Sequence, residues 1–140
     1  MTAPPAEPSI LDWVGVALVC GSAALAALIE LFLVPLYAGS VLVPVAILLA
    51  VAGNVLLPRM GRALVPKALA AVLPFVAWLI VVVAVGFFTR PEGDVVLPGG
   101  GGAEWVGLGV ALGGALAGTV TIVMSTPPPG TAPRRGTVSR

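Results

Sequence analysis

The chain has no histidine and a single cysteine, Cys20. Without histidine it lacks the commonest general base and the commonest metal ligand. One cysteine excludes an intrachain disulfide framework, and Cys20 reads as a small packing residue. Charge is scarce as well. Only 9% of the residues are Asp, Glu, Lys or Arg, against about 25% in a soluble domain. So few charges do not cover a water-facing surface. Aromatic residues make up 6% of the chain. No Ser/His/Asp set, paired carboxylates or metal cluster can be assembled. The glycine run 99–102 lacks the Lys-Ser/Thr that a phosphate loop carries. The expectation is therefore no enzyme, no metal, no cofactor and no nucleic-acid partner.

Apolar residues fill the space. They make up 59% of the chain and fall into four long runs. The first, from Trp13 to Tyr37, holds one formal charge, Glu30. At about 1.5 Å per residue such a helix outreaches a hydrocarbon core of roughly 30 Å. The pattern predicts an all-α, four-helix transmembrane bundle over residues 10–124. Its spans are expected at about 10–37, 41–57, 68–88 and 105–124. Residues 1–9 form a Pro-rich lead and 125–140 a basic, Pro-rich tail, both expected to be disordered. The lead carries no Lys or Arg, so it does not read as a secretory signal. Ser9 and Asp12 match a capping box at the start of the first helix. Pro35 falls in the last turn of the first span, where it is expected to free the carbonyl of Leu31 and bend the helix. Pro44 falls in the first turn of the second span.

Basic residues set the expected orientation. The 58–67 loop carries Arg59, Arg62 and Lys67. The tail carries Arg134, Arg135 and Arg140, whereas the 89–104 loop has only Arg90. That asymmetry places the central loop, the tail and both termini in the cytoplasm, in a multi-pass protein of the plasma membrane. Arg59, Arg62 and Lys67 are also candidates for contact with lipid headgroups. Arginine outnumbers lysine six to one; with abundant Ala, Val, Gly and Pro this bias suggests an actinobacterial source.

Two sets of residues stand out within the spans. Gly109, Gly113, Ala117 and Thr121 recur every four residues on the fourth span, with Gly114 and Gly118 beside them. Small residues at this spacing let two helix backbones approach closely, and in lipid such packing drives association. The partner is a neighbouring span, a second copy or a larger membrane complex. Ala17/Gly21 and Ser22/Ala26 on the first span repeat the signal more weakly. Asn54, Ser22, Thr119 and Thr121 read as hydrogen-bonders between helices.

Glu30 is the one candidate for an intramembrane proton or substrate site. An acid at the centre of a span costs about 2.5–3.5 kcal/mol, which its apolar neighbours offset at roughly 0.3–0.6 kcal/mol each. The alternative is a satisfied structural carboxyl, bonded to the Leu31 carbonyl, to the Trp78 indole or to a partner subunit. Asn54 is expected near the cytoplasmic end, about 15 Å from Glu30 along the membrane normal.

Four spans, a short chain and the lone acid of ALIELFLVP resemble the small multidrug resistance transporters. That resemblance implies exchange of protons and cationic drugs at Glu30. The surrounding residues depart from that family's pattern, and its Tyr/Trp lining is missing. Over its whole length the chain looks more like small four-span actinobacterial membrane proteins, a likeness of layout that implies no activity. The composition leads to two functional expectations: a structural or accessory component of a membrane complex, or a proton-coupled small transporter or channel using Glu30.

The orientation has a direct test. A Gly100→Cys substitution in a Cys20→Ala background should react with a membrane-impermeant thiol reagent added outside intact cells. Reaction only after the cells are opened would reverse the assignment.

Overall fold

The computed structural model describes residues 7–87 and 103–125. The chain forms α1 (Ile10–Phe32), a two-stranded hairpin of β1 (Tyr37–Ala38) and β2 (Val41–Leu42), α2 (Val45–Leu64), α3 (Ala68–Val81), which runs on as a π-helical segment (Val82–Phe87), and α4 (Glu104–Ser125). Among the described residues, four helices are long and apolar enough to cross a bilayer. The protein is a small integral membrane protein of the helical-bundle class. The expected 89–104 loop, apart from its last two residues, and the C-terminal tail beyond Ser125 lie outside the described residues, as do residues 1–6.

The first helix starts where its cap dictates. The Ser9 backbone N–H donates to Asp12 Oδ2 at 2.7 Å, and the Asp12 N–H donates back to Ser9 Oγ at 3.3 Å. Two orphan donors are thus satisfied. Its end differs from expectation. The helix stops at Phe32, so Pro35 lies beyond it. Proline disfavours a helical residue before it, and the chain turns over Leu33–Pro35 instead of bending within a longer helix. The Leu31 carbonyl is not freed, because it accepts from the Val34 N–H at 3.4 Å.

The expected tight connection at 37–40 is the hairpin. Tyr37 pairs with Leu42 and Ala38 with Val41. Gly39, at φ +67°, takes the first central position of the two-residue turn, where a positive φ favours glycine. The second helix therefore begins at Val45 rather than Val41, with Pro44 as its N-cap.

The far end of α2 is the larger correction. Residues 58–64 are not a loop but its last two turns. A proline inside a helix costs about 3 kcal/mol, and packing offsets it here. Pro58 and Gly61 are both buried. Gly61 lies against the Ala70 carbonyl so closely that a Cβ would overlap it. Only residues 65–67 remain as a connection. Arg59 and Arg62 thus ride on the helix, Arg62 in its last turn, where a cation suits the dipole. The exposed Lys67 lies 3.8 Å from Glu7, which puts the start of α1 on the same side of the bundle as the 65–67 turn. Both side chains are solvated, so the pair contributes little.

Helix α2 is central: it packs against α1, α3 and α4, while α1 and α4 barely touch. Small residues make these approaches possible. Ala23 and Ala27 of α1, Ala46 and Ala50 of α2, and Ala70 and Ala71 of α3 are buried. Large apolar residues such as Leu18, Leu48, Ile80, Leu112 and Leu116 point outward. This inversion of a soluble core is expected where lipid replaces water.

Gly61→Ala should therefore lower the thermal midpoint of the detergent-solubilised protein, by the equivalent of about 1–3 kcal/mol. An unchanged midpoint would mean that the α2–α3 contact is looser than described.

Candidate functional site

The bundle closes around Trp78, the largest of its fully buried side chains. Its indole Nε1–H donates to Glu30 Oε2 at 2.7 Å. Glu30 is itself 1% exposed. A tryptophan N–H that finds no acceptor inside a bilayer would be costly, because no water reaches it. The carboxyl supplies that acceptor.

The other side of the indole rests on α4. Cζ2 and Cη2 of Trp78 lie where a Cβ on Gly114 would be, 2.5 Å away, with Asn54 Nδ2 at 3.1 Å from the same position. One turn on, Gly118 receives Phe75, whose ring stacks on Trp78 with centroids 6.2 Å apart. The α4 glycines thus form two rows. Gly114 and Gly118 admit the aromatic pair of α3, while Gly109 and Gly113 meet Ile47 and Val51 of α2. Thr121 is buried and Ala117 half-buried on this side of α4.

The depth expected for Asn54 is corrected. Glu30 Oε1 lies 3.6 Å from the Cβ position of Gly53, so Glu30 is level with the residue beside Asn54. By helical rise Gly53 lies about 12 Å into α2, and Trp78 and Gly114 each lie about 15 Å into their helices. Gly53, Trp78 and Gly114 are thus near the middles of their helices, and the Glu30 carboxyl reaches that level from the last turn of α1. The 15 Å separation followed from ending α2 at Leu57; with the helix running to Leu64, Asn54 moves to its middle. Asn54 and Ser22 do not bridge helices. Each donates to the carbonyl four residues back, Asn54 to Ala50 at 2.9 Å and Ser22 to Leu18 at 3.0 Å. Thr119 is exposed.

Beside Glu30 a cleft of about 290 Å³ separates α1 from α2. Ala26, Ile29 and Glu30 line one wall, and Leu49, Ala52, Gly53 and Leu56 line the other. Leu49, Ala52 and Leu56 are exposed mid-helix, so the cleft opens sideways toward lipid. Among the described residues, Trp78 gives Glu30 its one side-chain hydrogen bond, and no enclosed side-chain oxygen or nitrogen lacks a partner. Oε1, without such a bond, is therefore the atom that meets the cleft. A second hollow, about 350 Å³, is lined by Leu79, Ile80, Val83 and Ala84 and carries no polar side chain. Among the described residues no cluster of three His, Cys, Asp or Glu side chains is placed to hold a metal.

Arg59 is exposed and Arg62 half-buried on the last turns of α2, with Lys67 just beyond. These three lie toward the end of the bundle where α2 meets the 65–67 turn. Ala23/Ala27 on α1 and Ala46/Ala50 on α2, all buried, repeat a four-residue spacing of small residues. It is the same signal that singled out α4, in alanine rather than glycine.

Against known protein families, curated proteins and solved structures, the chain finds no match.

A double-mutant cycle checks the central contact. Trp78→Phe and Glu30→Leu should each lower stability in detergent, with a coupling of about 0.6–1.7 kcal/mol between them. Strict additivity would show that the hydrogen bond adds nothing to the fold.

Proposed function

We propose that this protein is a non-enzymatic accessory component of the plasma membrane, with both termini cytoplasmic, and that its working group is Glu30. One observation carries the reading. The carboxyl is buried within the bundle, where an acid is expensive, yet among the described residues only one of its oxygens is engaged. A purely structural carboxyl in lipid would be expected to turn both oxygens into the bundle. Here Trp78 fixes one and leaves the other facing a lipid-side cleft. That arrangement suits holding a molecule of the lipid phase, in service of a larger assembly or of a homo-oligomer.

A second reading, a proton-coupled small transporter or channel, rests on the same acid. Intramembrane acids commonly serve in proton relays. The sideways opening of the cleft favours binding over passage.

Two measurements separate the readings. Extraction from native membrane in a gentle detergent or a lipid-retaining polymer should yield a particle larger than the 14.0 kDa chain, with other subunits or copies in fixed ratio. Reconstituted into liposomes, the protein should carry no proton flux above that of empty vesicles. Recovery as a lone monomer would remove the accessory role. A flux abolished by Glu30→Gln would establish transport in its place.

A further inference from the structure

The chemistry beside Glu30 narrows what the cleft accepts. Its walls are hydrocarbon apart from one carboxyl oxygen. The small residues Ala26, Ala52 and Gly53 create the hollow, and Ile29, Leu49 and Leu56 border it. The cleft, about 290 Å³, is open on its lipid side, so an occupant seats one end in it and leaves the remainder among the acyl chains.

Depth then selects the polar end. Gly53 and Glu30 lie about 12 Å below the start of α2, well inside a hydrocarbon core of roughly 30 Å. A fixed ammonium resists that depth and stays near the headgroups. Among the described residues no aromatic ring lines the cleft to receive a cation. A neutral group reaches the same depth at far less cost.

Hydrogen bonding selects further. An ionised carboxylate offers Oε1 as an acceptor only, whereas a neutral carboxyl also offers a donor. A carbonyl ligand matches only the second form. A hydroxyl, which both donates and accepts, matches either.

We propose that the Glu30 cleft binds a neutral, membrane-dissolved alcohol, its hydroxyl hydrogen-bonded to Oε1 and its alkyl end seated between α1 and α2. The proposal rests on the reading of Glu30 as the working group and gives that site its ligand class. Trp78 holds the carboxyl from behind, so the acceptor is oriented before the alcohol arrives.

The test uses the full chain in phosphatidylcholine nanodiscs and three photoreactive probes. These are hexadecanol carrying a diazirine next to its hydroxyl, the methyl ether of that probe, and the corresponding primary ammonium. Crosslinks are mapped by mass spectrometry. The alcohol should label Ala26–Glu30 and Leu49–Leu56 about fivefold more than the ether, the factor expected for one hydrogen bond, and more than the ammonium. Ala52→Phe, at an exposed position on the cleft wall, should remove that excess. Gly53→Leu, which fills the cleft from the α2 wall beside Glu30 Oε1, should do the same. Equal labelling by alcohol and ether would overturn the alcohol, since an ether oxygen only accepts and would match a Glu30 that donates. Glu30→Leu would then separate the cases, loss of both labels keeping Glu30 as the site and unchanged labels overturning its role as well. Preferential labelling by the ammonium would overturn the alcohol alone and leave Glu30 as the site. An excess that survives both variants would place the alcohol elsewhere and overturn the proposal.

Discussion

An indole N–H at the middle of a bilayer has to be answered from within the protein. In this bundle the answer comes from a residue 48 positions away in sequence. Much of the interior is arranged around meeting that need. Gly114 clears the space that the indole ring occupies, and Gly118 does so for Phe75 stacked against it. Gly53 lets α2 pass close to the carboxyl. In lipid, apolar contact with a neighbouring helix is worth little more than contact with an acyl chain. Shape complementarity and the buried hydrogen bond therefore fix the register of the helices. The glycines matter through the bulk they admit, and α4 divides them between two neighbours.

Four apolar runs separated by polar breaks are visible directly in the residues, because a 20-residue hydrophobic stretch has few alternative fates. The Ser9–Asp12 box also sits where its pattern places it, since capping is a local interaction. Span boundaries were less legible. Pro58 and the basic residues after it look like a loop, yet close packing of Gly61 on Ala70 keeps the chain helical to Leu64. Local propensity was overridden by a tertiary contact that no window of sequence contains. Pro35 acted in the opposite sense, ending α1 sooner than its hydrophobic run suggests.

The displaced boundary had a consequence at the site. Glu30 and Trp78 are both readable as unusual residues in apolar runs. The Trp78 indole was one of three expected partners for Glu30, and it is the one found. Choosing it over the Leu31 carbonyl or a partner subunit requires knowing how far each helix extends and which helices adjoin, and the sequence alone shows neither. Moving the end of α2 by about two turns brings Asn54 from one membrane face to the level of Glu30. The cleft is less legible still. It arises from the absence of side-chain bulk at Ala26, Ala52 and Gly53 together, on two helices whose rotation is set elsewhere.

The continuation of α2 past Pro58 also bears on the surrounding bilayer. From Val45 to Arg59 the helix rises about 21 Å, less than the roughly 30 Å of an average hydrocarbon core. The exposed Arg59 guanidinium must therefore stretch along the helix to reach water, or the leaflet beside α2 must dimple inward to meet it. Either response carries an elastic cost of fractions of a kcal/mol per ångström of mismatch. Bilayer thickness thus becomes a variable that acts on this one helix through the level at which Arg59 meets water.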